Sequence, residues 1–263
     1  TPNAAEVLLS VIAEAEDTGD EESMEAALRL LEEIDPENLD LAVRRWRRLW
    51  EGPDAAQAAL VARDLARRLR EAGRETDAGR LAIEAADHGR THPAAAPTLV
   101  EMLLDCGFAD RAVELYPVAA EVLREAEGAR LLALARRLTA ERPEAKAVWR
   151  DLAALLSGSG ETEAALDAVR RVLELCETEG DAASELAAID QGLSIAPEDL
   201  DLLRRRVGAL LRVGGDPVSA REAAATYLRR VRDQRSPAEF AEAALAMLRE
   251  LPDLHEILSL IHI

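Results

Sequence analysis

The fold is decided by residues 143–197, whose sequence is PEAKAVWRDLAALLSGSGETEAALDAVRRVLELCETEGDAASELAAIDQGLSIAP. A proline stands at each end of this stretch, and two glycines, Gly160 and Gly180, divide its interior. Proline cannot continue a helix, and glycine readily takes the left-handed conformation that ends one. The punctuation therefore predicts three consecutive helices between the two prolines.

Apolar residues inside each of the three pieces recur every three or four positions, which places them on one face of a helix. The predicted helices are Glu144–Leu156, Glu161–Thr178 and Ala182–Ile195, and Asp181 is predicted to cap the third. No alternating run of β-branched residues and no hairpin dipeptide occurs, so no strand is predicted.

The same punctuation recurs along the chain. The five prolines that mark the ends of the units are Pro36, Pro93, Pro143, Pro197 and Pro252, and they are 57, 50, 54 and 55 residues apart. A period of this size is typical of a helical repeat array. We predict a partial unit at 1–35 and full units at 36–92, 93–142, 143–196 and 197–251. The expected fold is all-α, a right-handed α-solenoid or superhelix of about fourteen helices.

Three windows of the chain place large, small and glycine residues at the spacing of a known motif. They hold Trp149, Leu152, Ala153, Leu156, Gly160 and Ala165; Leu99, Val100, Leu103, Gly107, Ala112, Tyr116 and Ala119; and Val207, Gly208, Leu211, Gly215 and Ala220. This pattern resembles the tetratricopeptide (TPR) repeat, a motif of about 34 residues. Here the windows recur at the longer period because a third helix is added. The resemblance implies a TPR-like α-solenoid and, for function, protein binding.

Both ends of the chain are expected to be incomplete. The helices predicted near 4–17 and 20–34 correspond to the second and third helices of a unit, and the first residue is not methionine. Residues 258–263, LSLIHI, match the translation of a sequencing-library transposon adapter and are set aside as a sequencing-adapter scar.

The composition excludes several classes of partner. The net charge is −19, so nucleic acid and anionic membrane surfaces are not expected to bind. No apolar stretch approaches the length of about 20 residues that spans a bilayer. The two cysteines, Cys106 and Cys176, lack a close partner and are predicted to be free thiols in a reducing compartment. With the arginine-rich composition, this favours a bacterial cytoplasmic protein.

No motif in the sequence indicates catalysis, a metal or a cofactor. His88 and His92 have the spacing of helical zinc ligands but no third ligand at a matching distance, so surface histidines are expected. Gly158, Ser159 and Gly160 are read as a helix-to-helix turn, since no strand precedes them. We therefore expect a protein that is not an enzyme.

A row of arginines on the first helix of three units is the candidate site. Its members are Arg44, Arg48, Arg150, Arg204 and Arg205. Equivalent positions of a solenoid are expected to align along one face, where guanidiniums would hold carboxylates of an acidic or amphipathic protein segment. The alternative is that these are solvated helix faces neutralised by neighbouring Asp and Glu.

Two functions fit this pattern. The first is an interaction scaffold or adaptor that binds a peptide or protein segment on its concave face. The alternative is a regulatory or substrate-recruiting repeat region of a larger enzyme or transcription regulator.

Eight core residues are predicted to be buried: Trp46, Leu49, Leu99, Leu103, Trp149, Leu152, Val207 and Leu211. Pro117 is predicted to break or kink its helix.

Overall fold

The structure, a computed structural model, describes residues 2–35, 38–50, 52, 54–214 and 217–251. Within these ranges the chain forms fourteen α-helices and one 3-10 turn, and it contains no strand. From α1 to α7 and again from α9 to α14, each helix packs against the next along the chain. The expectation of an all-α fold built from sequentially stacked helices is confirmed.

The chain divides into two compact units, Thr1–Leu131 and Leu132–Ile263, with the division inside α8. The helices of the first unit are α1 Pro2–Thr18, α2 Glu21–Ile34, α3 Leu39–Leu49, α4 Ala55–Glu71, α5 Glu75–Gly89, α6 Ala96–Asp105 and α7 Ala109–Ala126. They are followed by α8 Gly128–Glu141, α9 Lys146–Gly158, α10 Thr162–Glu179, α11 Ala182–Ile195, α12 Leu200–Arg212, α13 Pro217–Gln234 and α14 Pro237–Glu250. The 3-10 turn, Pro93–Ala95, leads into α6.

In the first unit, alternate helices lie side by side in two layers. Arg47 on α3 binds Glu84 on α5 through two hydrogen bonds of 2.7 and 3.0 Å. In the other layer, Arg63 on α4 donates from Nη2 to the carboxylate of Asp105 on α6 at 3.2 Å. Arg130 on α8 continues that layer and donates from Nε to Glu101 on α6 at 2.7 Å.

The second unit is layered in the same way. Gln191 on α11 donates to the main-chain carbonyl of Arg150 on α9 at 3.0 Å, which joins one layer. Arg205 on α12 donates to Glu177 on α10 at 2.5 Å, which joins the other. Because each sequence unit contributes three helices, α9 and α12 open successive units but lie in opposite layers.

Helix ends largely follow the predicted punctuation. Asp181 caps α11 by accepting a hydrogen bond from the Ser184 amide at 3.0 Å, as predicted. Helix α7 ends at Ala126, and Gly128 begins α8. Helix α7 continues through Pro117 and does not end there. Pro36, Pro252, Gly215 and residues 258–263 lie outside the described residues.

Most of the predicted core residues are buried. Trp46, Leu99, Leu103 and Val207 are fully buried, and Leu152 nearly so. Leu49 and Leu211, in contrast, are 40% and 39% exposed, because each lies in the last turn of its helix, at the edge of the packed layer. The prediction for Trp149 is also wrong: its ring is half-buried, and its indole donates to the carbonyl of Pro143 at 3.0 Å.

Candidate functional site

The described residues provide no metal centre and no membrane span. They contain no group of three or more His, Cys, Asp or Glu side chains that could hold a metal ion. No helix among them is long and apolar enough to cross a membrane. His88 and His92 are not the surface residues that were expected. Both are half-buried, and their rings lie 4.6 and 5.8 Å from that of Trp50.

The five predicted arginines are divided between the two compact units. Arg44 and Arg48 lie on α3 in the first unit, and Arg150, Arg204 and Arg205 lie on α9 and α12 in the second. Arg150 is exposed on the α9 and α11 layer, whereas Arg204 and Arg205 belong to the opposite layer. Within the second unit, the structure places Arg204 and Arg205 together at one groove and Arg150 in the other layer.

This groove, called here the α10–α12 groove, has a volume of about 540 Å³. The ends of α10 and α14, the start of α11 and most of α12 contribute its lining. The lining residues are Cys176, Glu177, Gly180, Ala182, Glu185, Asp201, Arg204, Arg205, Gly208, Arg212 and Glu250. Its length along α12 covers three helical turns, from Asp201 to Arg212.

An ion pair between a buried carboxylate and an exposed guanidinium forms part of the groove. Glu185 on α11 is 4% exposed, and its carboxylate accepts a hydrogen bond from Nη2 of Arg212 at 2.5 Å. Gly208 lies beside that guanidinium, and a Cβ at this position would lie 3.4 Å from Nη1 of Arg212. The pair holds the arginine side chain across α12, so that its cationic end borders the groove.

Arg204 and Arg205 differ in what they contact. Arg205 is held by Glu177 and also by Asp201, whose carboxylate is 3.2 Å from its Nε. Arg204 is exposed and, among the residues that the structure describes, has no carboxylate within ion-pair distance. It also borders a second hollow of about 350 Å³ beside Tyr227 and Glu239. Arg204 therefore borders both hollows.

Ion pairs near the groove shift the pKa values of two groups. The ammonium group of Lys146 donates to Asp181 at 2.8 Å and to Glu179 at 2.6 Å. Its bond to Asp181, followed by that to Glu179, raises the pKa of Lys146 well above the ordinary value. The bond from Lys146, followed by that from Ser184, holds the pKa of Asp181 well below its usual range. The ion pair joins the first residue of α9 to the N-cap of α11.

Both cysteines are free thiols. Cys176 is buried at the groove, and Cys106 is half-buried between α4 and α6. Burial is the main cause that raises the pKa of each thiol. Neither is therefore an activated nucleophile.

The arginines of α3 lie in a different setting. Arg44 borders a hollow of about 370 Å³ between α3 and α5, together with Asp40, Arg74 and Glu84. Arg48 is exposed in the last turn of α3. Glu101 takes the place of Arg44 in the next sequence unit. It is bound by Arg63 and Arg130 on neighbouring helices. That acidic position is thus already neutralised within the first unit.

Sequence reasoning missed Glu185, Gly208 and Arg212 as parts of a site. The sequence carried a signal for the first, since Glu185 lies on the buried stripe of α11 that continues through Ala188, Ile189 and Gly192. A carboxylate among apolar positions of a helix usually has a buried partner. The position of Arg212 against it depends on the contact between α11 and α12, which the sequence alone does not specify.

No protein-family model matches the chain, and no curated protein sequence matches it. Solved structures that it resembles are helical-repeat proteins. The nearly identical TPR-like repeats of a Podosopora anserina protein assigned as a kinesin light chain have 17% identity and a TM-score of 0.33, over 76% of this chain and 99% of that one. BtubC (BKLC) from P. vanneervenii has 14% identity and a TM-score of 0.32, over 84% of this chain and 89% of that one. A thermophilic TPR protein of Thermus thermophilus has 20% identity and a TM-score of 0.21, over 58% of this chain and 99% of that one.

Proposed function

We propose that this chain is a protein-interaction scaffold or adaptor, which binds a peptide or protein segment on the concave face of its helical array. The observation that carries the proposal is the α10–α12 groove with the exposed, carboxylate-free guanidinium of Arg204 at its edge. A preformed groove between rigid helices binds a segment without an ordering cost of its own. The free thiols and the arginine-rich composition motivate our further proposal of a bacterial cytoplasmic location.

The partner proposed for the groove is an acidic or amphipathic protein segment. Arg204 supplies a guanidinium for a partner carboxylate, and charge-assisted bonds of this kind are stronger than neutral ones. Arg205 and Arg212 already form ion pairs with Glu177 and Glu185. They therefore shape the groove, whereas Arg204 is the arginine that contacts the partner carboxylate. The net charge of −19 repels an acidic partner at long range, and binding therefore depends on local contacts. We propose Arg44, Arg48 and Arg150 as further contacts outside this groove.

Selection from a phage-displayed peptide library tests the proposal. We expect selected peptides to carry Asp or Glu beside an apolar residue, and Arg204→Glu to weaken their binding roughly a hundredfold. Arg170→Glu is the matched control, because Arg170 lies on α10 outside the groove, is exposed and, among the residues that the structure describes, pairs only with Asp167 of its own helix. Selected peptides that bind wild type and Arg204→Glu equally well would show that the groove is not the site.

A further inference from the structure

Residues 2–35, which contain the first two helices, carry more than half of the chain's net charge. Residues 2–35 contain eleven Asp and Glu residues and a single basic residue, Arg29, which gives a net charge of −10 out of −19. The carboxylates of Glu6, Glu14, Asp17 and Glu22 are exposed. This hairpin of α1 and α2 is therefore the most acidic part of the chain.

The same hairpin exposes large apolar side chains. Val7 and Val11 on α1 are 59% and 38% exposed, and Leu30 and Ile34 on α2 are 52% and 49% exposed. Residues four positions apart lie on adjacent turns of one helix face. Each helix therefore presents a short apolar strip to solvent.

The two strips lie on the same side of the hairpin. Val11 directly precedes the buried Ile12, and Leu30 directly precedes the buried Leu31. Helices α1 and α2 are joined by Gly19 and Asp20 and run antiparallel. In two antiparallel helices that share a core, residues that directly precede a core residue point to the same side of the pair. The buried core of the hairpin also contains Leu41 of α3, so α3 packs against it. The four exposed residues are named here the α1–α2 strip.

We propose that the α1–α2 strip docks an amphipathic helix of another protein, with Lys and Arg residues on either side of its apolar stripe. A pair of helices forms a groove into which the apolar face of a third helix fits. The surrounding carboxylates attract and orient a cationic helix. A second copy of this chain is a poor occupant, because docking two such hairpins would bring together two surfaces of net charge −10.

The probe for this surface is a synthetic amphipathic peptide of about 18 leucine and lysine residues with helical spacing. We expect it to bind the wild-type chain, and we expect the double variant Val11→Ser/Leu30→Ser to bind it roughly tenfold more weakly. Leu245→Ser is the matched control, because Leu245 on α14 is 58% exposed and lies outside both proposed surfaces. It should leave the affinity unchanged.

A charge variant gives a second test that does not alter the apolar strip. The double variant Glu14→Lys/Glu22→Lys should weaken binding of the leucine–lysine peptide by a similar factor. A peptide of leucine and glutamate should not bind the wild type. The proposal would be overturned if the leucine–lysine peptide bound wild type and Val11→Ser/Leu30→Ser with equal affinity. It would also be overturned if a lysine–serine peptide bound the wild type as tightly as the leucine–lysine peptide does. A wild-type dimer that this double variant dissociates in sedimentation would instead assign the strip to a second copy. None of these results depends on the α10–α12 groove.

Discussion

Arg205 on α12 contacts Glu177 on α10, with 2.5 Å between Nη1 and Oε1, although the whole of α11 separates the two residues in sequence. The contact shows that α10 and α12 are neighbours in one layer of the second unit. A sequence unit of three helices in a structure of two layers places successive first helices on alternate sides. Arg204 and Arg205 therefore share a groove, and Arg150 does not belong to it.

The ion pair between the buried Glu185 and the exposed Arg212 allows a directional prediction. Arg212→Leu leaves the carboxylate of Glu185 buried without its partner, and we expect it to destabilise the chain by about 2–4 kcal/mol. Glu185→Leu removes the buried charge and frees the exposed arginine, so it should be close to neutral. Urea unfolding followed by circular dichroism measures both. A Glu185→Leu variant that loses as much stability as Arg212→Leu would show that the carboxylate itself stabilises the fold.

Gly192 on α11 is predicted to be required by close packing. A Cβ there would lie 2.7 Å from Cδ1 of Leu202 and 3.1 Å from Cγ1 of Val169. We expect Gly192→Ala to cost about 1–3 kcal/mol, despite the better helix propensity of alanine. Gly158→Ala is the control, because a Cβ at Gly158 meets nothing within 4 Å. Thermal unfolding of the two variants should move in opposite directions, and a stabilised Gly192→Ala would contradict the packing.

The pair of Lys146 and Asp181 predicts how stability depends on pH. The pKa of Asp181 is lower in the folded state than in the unfolded state. Its contribution to stability is therefore complete above the unfolded-state pKa of about 4 and is lost as the pH falls through the folded-state pKa. The pKa of Lys146 is raised, so its contribution is complete below about 10.4 and is lost at higher pH.

Asp181→Asn keeps an N-cap acceptor but removes the ion pair. We expect its melting temperature to lie below that of the wild type by a constant amount between about pH 5 and 9, and the gap to close as the pH falls below about 4. Melting curves across this range measure the gap. A gap that persists unchanged at low pH would mean that the cap, and not the charge, causes it.

Two tryptophans should differ in their contribution to stability. Trp46 is fully buried and donates to the carbonyl of Ala58 at 3.1 Å, so Trp46→Ala should cost about 3–5 kcal/mol. Trp149 is half-buried and contacts the turn before its own helix, so Trp149→Ala should cost only about 1–2 kcal/mol. Equal losses in urea unfolding would contradict this ranking.

The helices could be predicted from the sequence because the information is local. Proline, glycine and the apolar period fix where a helix begins and ends, and Ala182–Ile195 was predicted to the residue. The alignment of the arginines could not be predicted in the same way. It depends on which helices become neighbours, as α9 and α11 do, and this follows from the stacking of helices and not from their order in a repeat. The grouping of Glu185 with Arg212 has the same origin.

The central claim is that the α10–α12 groove binds a protein segment, and amide hydrogen exchange tests it most directly. The chain is compared with and without a saturating peptide from the phage selection. We predict slower exchange at the end of α10, the start of α11 and the length of α12, and no such change in Arg204→Glu. Protection confined to other helices, or equal protection in Arg204→Glu, would contradict the account.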